Sequence, residues 1–276
     1  MSEIAVSGQS RFSRYFDELS RGFRAQSNVI LALVFKDLRM DATRGRLGIA
    51  WAMMEPVVQI SLMAQLWRPT GLSTINGVPI FLFMFAGVIP YLATRQSLTN
   101  VGLAMRRNDA LFDYPQVKPF DAVIASYIYE TTLLTISSIA FILLFGWFTG
   151  IKPPYSDPLG VMGIIGILVL FSLGLALMMG TYCSLHDDLA KMIGFVSRPL
   201  LFLSAIFFPM SQLPSSVRKV LAWNPLAQII EHLRHYMLGM PLFPEASLEY
   251  TALSSFLIFG VGVIVYFANR FKLIQR

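Results

Sequence analysis

Apolar runs of about 20 residues recur along this chain, and they constrain its fold more than any other feature. A helix needs roughly 20 residues to cross a hydrocarbon core of about 30 Å, so each run predicts a membrane span. We therefore predict an all-α integral membrane protein with six transmembrane helices in a single domain, residues 1–276. The predicted spans are residues 47–67, 79–97, 122–148, 159–183, 192–209 and 250–268.

The basic residues predict how these spans are oriented. Six spans place both termini on one side of the membrane, and that side receives 15 Lys and Arg residues against 5 on the other. Cytoplasmic segments carry the excess of Lys and Arg, so both termini are predicted to be cytoplasmic. The net charge of +6 is thus explained by membrane orientation, and we predict no nucleic-acid partner.

Residues 210–240, between the fifth and sixth predicted spans, form a broken amphipathic stretch. Their apolar residues recur at helical spacing, but prolines divide the stretch into two pieces of about a dozen residues, near 18 Å each. Such helices are too short to span, which predicts a re-entrant pair at the outer face, the periplasmic side if the resemblance given below holds; two helices lying on the bilayer are the alternative. The residues at its breaks are Pro214, Trp223, Asn224 and Pro225.

A second amphipathic stretch, residues 27–41, precedes the first span and predicts an N-terminal interface helix. Four basic residues lie on it or directly after it, at the inner leaflet. They predict orientation signals, and the guanidinium groups among them can also bind oxyanions through paired hydrogen bonds. The basic residues, which the family resemblance given below makes candidates for a substrate entry gate, are Lys36, Arg39, Arg44 and Arg46.

Charged and aromatic residues within the spans are candidates for lining a corridor, because an isolated charge in lipid costs about 2.5–3.5 kcal/mol. Glu55 can equally form a structural pair, and the arginines can reach the headgroups. The aromatic rings can belong to the interfacial belt. The corridor candidates are Trp51, Glu55, Tyr91, Arg95, Tyr127 and Arg198.

The cytoplasmic loop between the second and third spans combines apolar and charged residues. Apolar side chains ringed by charge on a short exposed segment are typical of a docking surface for a soluble partner, and an interfacial helix is the alternative. The candidate docking residues are Asn108, Asp109, Leu111, Phe112, Asp113 and Tyr114.

The sequence carries no pattern for catalysis. It contains no GxxxxGK[ST] phosphate loop, no GxSxG elbow and no HExxH helix. Two histidines beside Glu231 lack the further ligands of a metal site, and His186 with Asp187 and Asp188 reads as a polar turn rather than an acid–base site. We therefore predict no catalytic residue, no metal and no cofactor bound by this chain.

Five short motifs in register carry a resemblance to a known family. They are RxRLGxxWAxxEP at 44–56, GVIP at 87–90, LFxYxxVKPxD at 111–121, RP at 198–199 and WNPL at 223–226. In this order the chain resembles the permease subunit of ABC-2 type polysaccharide exporters, most closely the capsular polysaccharide exporters of Gram-negative bacteria.

The resemblance implies an inner-membrane homodimer that encloses a corridor for a lipid-linked acidic polysaccharide. Two copies of a separate ATPase subunit would bind ATP and Mg and dock on the 106–121 loop. Periplasmic and outer-membrane capsule export proteins would carry the polymer onward. An O-antigen or teichoic-acid type exporter is the nearest alternative, and an ion-coupled secondary transporter, for which only Glu55 offers a coupling residue, is a more distant one.

The orientation can be tested by thiol labelling in intact cells. Cysteines placed at Ser7 and Gln275 are expected to resist a membrane-impermeant thiol reagent, whereas one at Ser215 should react, because only the last lies in an outward-facing segment. Labelling of one terminus alone would contradict an even number of spans.

Overall fold

The computed structural model describes residues 11–43, 48–67, 71, 73–150, 156–197 and 199–274, and most of these are helical. The helices are α1 (Arg11–Thr43), α2 (Gly48–Gln65), α3 (Ile80–Gln96), α4 (Ala104–Arg107), α5 (Pro119–Thr149), α6 (Pro158–Leu185), α7 (Asp187–Ser197), α8 (Leu200–Leu203), α9 (Ser215–Leu221), α10 (Pro225–Leu238) and α11 (Leu248–Ile274). A π-helical segment, Ser97–Val101, continues α3 toward α4. The only strands in the described part are β1 (Thr74–Ile75) and β2 (Val78–Pro79), joined at Asn76-Gly77, where both φ angles are positive as a tight hairpin requires.

Among the residues described, four helical stretches are long and apolar enough to cross a membrane. They are Ile80–Arg107, Pro119–Thr149, Pro158–Leu185 and Leu248–Leu273. The number becomes five when α1 and α2 are counted together as one bent span. At about 1.5 Å per residue each of the four exceeds a core of roughly 30 Å. The prediction of a helical, multi-pass membrane protein is therefore confirmed at this level.

The helices correspond to the predicted elements with two differences of extent. A single helix lies over each predicted span except the fifth: α2, α3, α5, α6 and α11. The predicted interface helix, 27–41, belongs to a longer helix, because α1 starts at Arg11. The polar residues 11–26 therefore belong to the same helix, although they show no strong apolar periodicity.

The region predicted as a fifth span, 192–209, is not one helix, and this prediction needs correction. α7 ends at Ser197 and α8 covers only four residues, Leu200–Leu203. Pro199 directly precedes α8, and a proline cannot donate to the helical hydrogen-bond ladder. Two residues after α8, Ala205 has φ 52°, a left-handed conformation that stops a helix of L-residues.

The predicted stretch 210–240 contains two helices, α9 and α10, with the break at the residues that the sequence indicates. Pro225 occupies the first turn of α10, and the Asn224 side chain accepts a hydrogen bond from the Leu226 backbone N–H at 3.0 Å. Gly239, with φ 67°, ends α10 in the left-handed conformation that glycine adopts without strain.

α3 is the centre of the subunit. In the most apolar 18 residues of the stretch Ile80–Arg107, which begins with α3, 83% of the residues are buried. The corresponding share is 22–39% in the other three long helices. α2, α5, α6 and α10 all pack against it. α10 is also deeply embedded, with 11 of its 14 residues buried. A short helix of this kind lies inside the protein rather than on a bilayer surface.

α6 and α11 pack backbone to backbone. A Cβ atom on Gly262 would lie 2.4 Å from the Gly174 carbonyl oxygen, and one on Gly174 would lie 2.6 Å from the Phe259 Cα atom. Only glycine fits at these two positions without moving a helix. Close approach of this type stabilises helix pairs in lipid, where apolar burial gives little net driving force.

A buried arginine joins α10 to the end of α8 and to α3. The Arg234 side chain is 0% exposed, and its Nη1 donates to the Ala205 carbonyl oxygen at 3.0 Å and to Glu231 Oε1 at 2.7 Å. Its Nη2 donates to the Ile206 carbonyl oxygen at 2.6 Å. The guanidinium carbon lies 3.7 Å from the centroid of the Phe83 ring. One cation thus satisfies two carbonyl groups where the helical hydrogen bonds stop.

Replacing Arg234 should destabilise the subunit strongly. Arg234→Met leaves the buried Glu231 carboxylate and two carbonyl groups without their donor, which should cost about 3–5 kcal/mol. We expect a clearly lower midpoint in thermal unfolding of the purified protein in detergent.

The matched control is Lys219→Met, which removes an exposed cation from the neighbouring α9. This variant should unfold at the wild-type temperature. Equal midpoints for the two variants would show that the Arg234 contacts do not stabilise the fold.

Candidate functional site

The loop that joins the α3–α4 stretch to α5, residues 108–118, is compact and built from successive turns. Asn108 accepts from the Leu111 N–H at 2.8 Å, and Tyr114 accepts from the Val117 N–H at 3.0 Å. The loop ends where Pro119 opens α5, with the Asp121 carboxylate accepting from the Lys118 N–H at 3.1 Å. The loop is therefore an ordered surface.

The six predicted docking residues divide into two groups. Asn108 is buried, and Leu111 and Phe112 are half-buried, Phe112 packing against the core formed by α5, α6 and α11. Asp109, Asp113 and Tyr114 point outward, and Tyr114 is 64% exposed. The outward side chains can contact a partner, whereas the others fix the shape of the loop.

An aromatic groove lies between this loop and the C-terminal part of α11. It has a volume of about 500 Å³. Its aromatic walls come from both elements, and the Arg270 guanidinium lies 4.7 Å from the Phe271 ring centroid. The groove-lining rings are Phe112, Tyr114, Phe120, Tyr266, Phe267 and Phe271. The sequence analysis missed the contribution of α11 to this groove, although the spacing of Phe267 and Phe271 places both on one helix face.

The predicted entry-gate residues are not equivalent in the structure. The Lys36 ammonium donates to the Asn108 side-chain oxygen, so it points into the subunit and is engaged by the loop. Arg39 is exposed. Arg44 and Arg46 lie outside the described residues. The entry-gate role stays a prediction, and among the described candidates Arg39 is the one whose side chain is exposed.

The corridor candidates also separate into an outer and an inner set. Glu55 and Arg95 form an ion pair between α2 and α3, with 38% and 31% of the side chains exposed. Trp51, one turn before Glu55, is 69% exposed. Gln59 continues the same face, one turn after Glu55. A charged pair and an amide on an outward face are expensive in lipid, so this α2 face needs a polar or protein environment.

The remaining corridor candidates lie inside the subunit. Tyr91 is buried in α3, and the Tyr127 hydroxyl forms a hydrogen bond of 2.7 Å with Ser172 on α6. Both rings hold helices together and neither lines a surface, which corrects their predicted role. Arg198 lies outside the described residues.

Of the residues at the breaks of the 210–240 stretch, Asn224 ties two helices together and Trp223 is exposed. The Asn224 amide donates to the Leu203 carbonyl oxygen at 2.9 Å, which ties the start of α10 to the end of α8. Trp223 is largely exposed and lies edge-on to Tyr250 at 6.1 Å. Pro214 precedes α9, whose Arg218 donates to Glu245 at 2.6 Å. This hydrogen bond lowers the pKa of Glu245.

The other polar clusters form no reactive centre. His232 and His235 each contact a backbone carbonyl, of Gln228 and Met240, through Nδ1. Within the ranges that the structure describes, no group of three or more His, Cys, Asp or Glu side chains is placed to hold a metal ion. Asp187 pairs with Arg106 at 2.8 Å, and Asp188 with Lys191 at 3.3 Å.

The fold and this distribution of sites define a class of protein. Several helices long enough to span a membrane, an ordered loop with outward polar and aromatic side chains, and a charged pair on an open helix face are typical of a membrane transport subunit. The model of the ABC-2 type transporter family matches residues 29–238, and the chain belongs to this family.

Curated relatives are similar over most of their length. The polysialic acid transport protein KpsM of Escherichia coli is 26% identical over 246 residues, 89% of this chain and 95% of KpsM. The capsule polysaccharide export inner-membrane protein BexB of Haemophilus influenzae is 20% identical over 87% of this chain and 90% of BexB. The corresponding protein CtrC of Neisseria meningitidis serogroup B is 22% identical over 88% and 92%.

The Glu55–Arg95 pair can be tested by a double-mutant cycle. Glu55→Gln and Arg95→Gln should each lower thermal stability, because each leaves one charge without its partner. The double variant should recover part of the loss, with a coupling energy of about 1 kcal/mol given the partial exposure of both groups. Strictly additive losses would mean that the two charges do not interact.

Proposed function

We propose that this chain is the transmembrane subunit of an ATP-driven exporter that moves a lipid-linked acidic capsular polysaccharide across the inner membrane. Membership of the ABC-2 family is the observation that carries the proposal. Relatives named for polysialic acid transport and capsule polysaccharide export support the choice of substrate over O-antigen or teichoic acid. The chain would act as the transport subunit, with ATP and Mg bound by a separate ATPase.

In the proposed topology α2, α3, α5, α6 and α11 span the membrane as single helices. α7 with α8 forms a broken crossing, the fifth of six in chain order. Both termini are cytoplasmic. α9 and α10 form the re-entrant pair at the periplasmic face. The burial of α10 against α3 and α6 supports this arrangement, because re-entrant backbone must be covered by protein.

A second copy of the chain would complete the corridor. Two features leave the single subunit open: the α2 face that carries the Glu55–Arg95 pair, and α7, where Ile193 is one of few buried side chains. Packing two subunits across these surfaces removes both from lipid. The paired state of Glu55 also disfavours an ion-coupled secondary transporter, which needs a carboxylate free to bind the coupling ion.

Substrate would enter at the inner leaflet and leave through the periplasmic face. Arg39, Arg44 and Arg46 would bind the acidic glycan or the phosphate of its lipid end near the start of α2. The periplasmic and outer-membrane capsule export proteins would receive the polymer near α9, where Trp223 is exposed.

Two ATPase subunits would dock on the two copies of the 108–118 loop, and Tyr114 provides the test. Tyr114→Asp puts a charge into the proposed interface and should cost about 2 kcal/mol or more, roughly a thirtyfold loss of affinity. We expect normal membrane insertion, loss of the co-expressed ATPase on purification, and little polysaccharide on the cell surface.

Tyr114→Phe is the control, since it keeps the aromatic ring and should retain both ATPase co-purification and polysaccharide export. Wild-type export by the aspartate variant would show that the loop does not carry the ATPase contact. Failure of the unaltered chain to co-purify with any ATPase would reject the proposed function itself.

A further inference from the structure

One face of α1 is attached to α5 by polar contacts. Ser126 donates to Asp37 at 2.7 Å, and the Tyr129 hydroxyl donates to Asp41 at 2.7 Å. Asp37 and Asp41 are one turn apart, so both lie on the same side of the helix. Leu31 and Phe35, on another side of the helix, are more than half exposed. α1 therefore directs Asp37 and Asp41 toward α5 and leaves Leu31 and Phe35 open to its surroundings.

Two further contacts from α1 reach the ends of the 108–118 loop. Lys36 donates to the side-chain oxygen of Asn108, the first residue of the loop. Gln26 Nε2 donates to Asp121 Oδ1 at 2.7 Å, three residues beyond the end of the loop. Asn108 and Asp121 are 3% and 0% exposed, whereas Gln26 and Lys36 are half-buried, so each contact joins a buried acceptor to a side chain near the surface.

Asn108 and Asp121, which α1 contacts, also fix the two ends of the loop. The Asn108 amide donates to the Ala104 carbonyl oxygen at 2.8 Å and so closes the end of α4. The second oxygen of Asp121 accepts from the Lys118 N–H at 3.1 Å and so caps α5. A displacement of the loop would therefore pull on α1 through Lys36 at one end and Gln26 at the other.

We propose that α1 and the 108–118 loop move as one unit, with Gln26 and Lys36 as positioning residues. α1 then relays the state of the ATPase to the inner-leaflet side of the subunit, where the helix presents Arg39 and leads into α2. This inference rests on the proposed function, because it assigns the loop to the ATPase. It adds that contact with the ATPase does not suffice for export unless α1 follows the loop.

The Gln26–Asp121 contact can be broken and rebuilt. Gln26→Glu places a second carboxylate against Asp121, so that two acceptors face each other without a donor. Adding Asp121→Asn restores one donor across the contact and keeps an oxygen for the Lys118 N–H. Asn28→Glu is the control, because it adds the same charge at an exposed position of the same helix.

Each variant is co-expressed with its ATPase in cells lacking their own permease, and two quantities are measured. These are surface polysaccharide per inserted subunit, and ATP hydrolysis by the purified complex. Gln26→Glu should lower export about tenfold or more while ATP hydrolysis stays within about twofold. The tenfold figure corresponds to the free-energy cost of leaving one pair of acceptors without a donor. The double variant should recover most of the export, and the control should match wild type.

Three results would overturn the inference. Normal export by Gln26→Glu would show that the contact is dispensable. Lost export without recovery in the double variant would show that the effect does not arise from this contact. A parallel fall in export, hydrolysis and yield of the complex would assign the contact to stability alone. Absence of an ATPase complex with the unaltered chain would instead reject the proposed function.

Discussion

The arrangement of α8, α10 and α3 depends on one buried cation. α8 ends at Leu203, and the buried carbonyl groups of Ala205 and Ile206 that follow it need donors. The Arg234 guanidinium supplies them from α10 and stacks on Phe83 of α3. Gly87 leaves room for it, because a Cβ atom there would lie 2.7 Å from the Arg234 Nη2 atom. α8, α10 and α3 are thereby fixed to one another.

The same helix links the two ends of the molecule. α3 carries Phe83 and Gly87 near its start and continues through the π-helical segment into α4 and the 108–118 loop. α3 is buried along most of its length, so it cannot bend independently of its neighbours. α10 and the 108–118 loop are therefore attached to opposite ends of one central element.

The sequence predicts the parts of this fold that depend on local pattern. Long apolar runs locate the spanning helices, and Pro225 with Gly239 locates α10, because length and proline geometry act within one segment. Contacts between segments were not predictable. The contacts of Arg234 have no local signature, since nothing near it in the sequence shows that Ala205 and Ile206 need donors. The same holds for Lys36, because its partner, Asn108, is 72 residues away.

The subunit has one closed side and one open side, and their chemistry differs. On the closed side α6 and α11 meet at Gly174 and Gly262, where no side chain separates the backbones. On the open side α2 carries Glu55 paired with Arg95, beside an exposed Trp51. A close backbone contact of the first kind is stable in lipid, whereas an exposed charged face of the second kind is costly there. Any arrangement that places the open side against lipid is thus disfavoured, and a symmetric pair of subunits removes both copies at once.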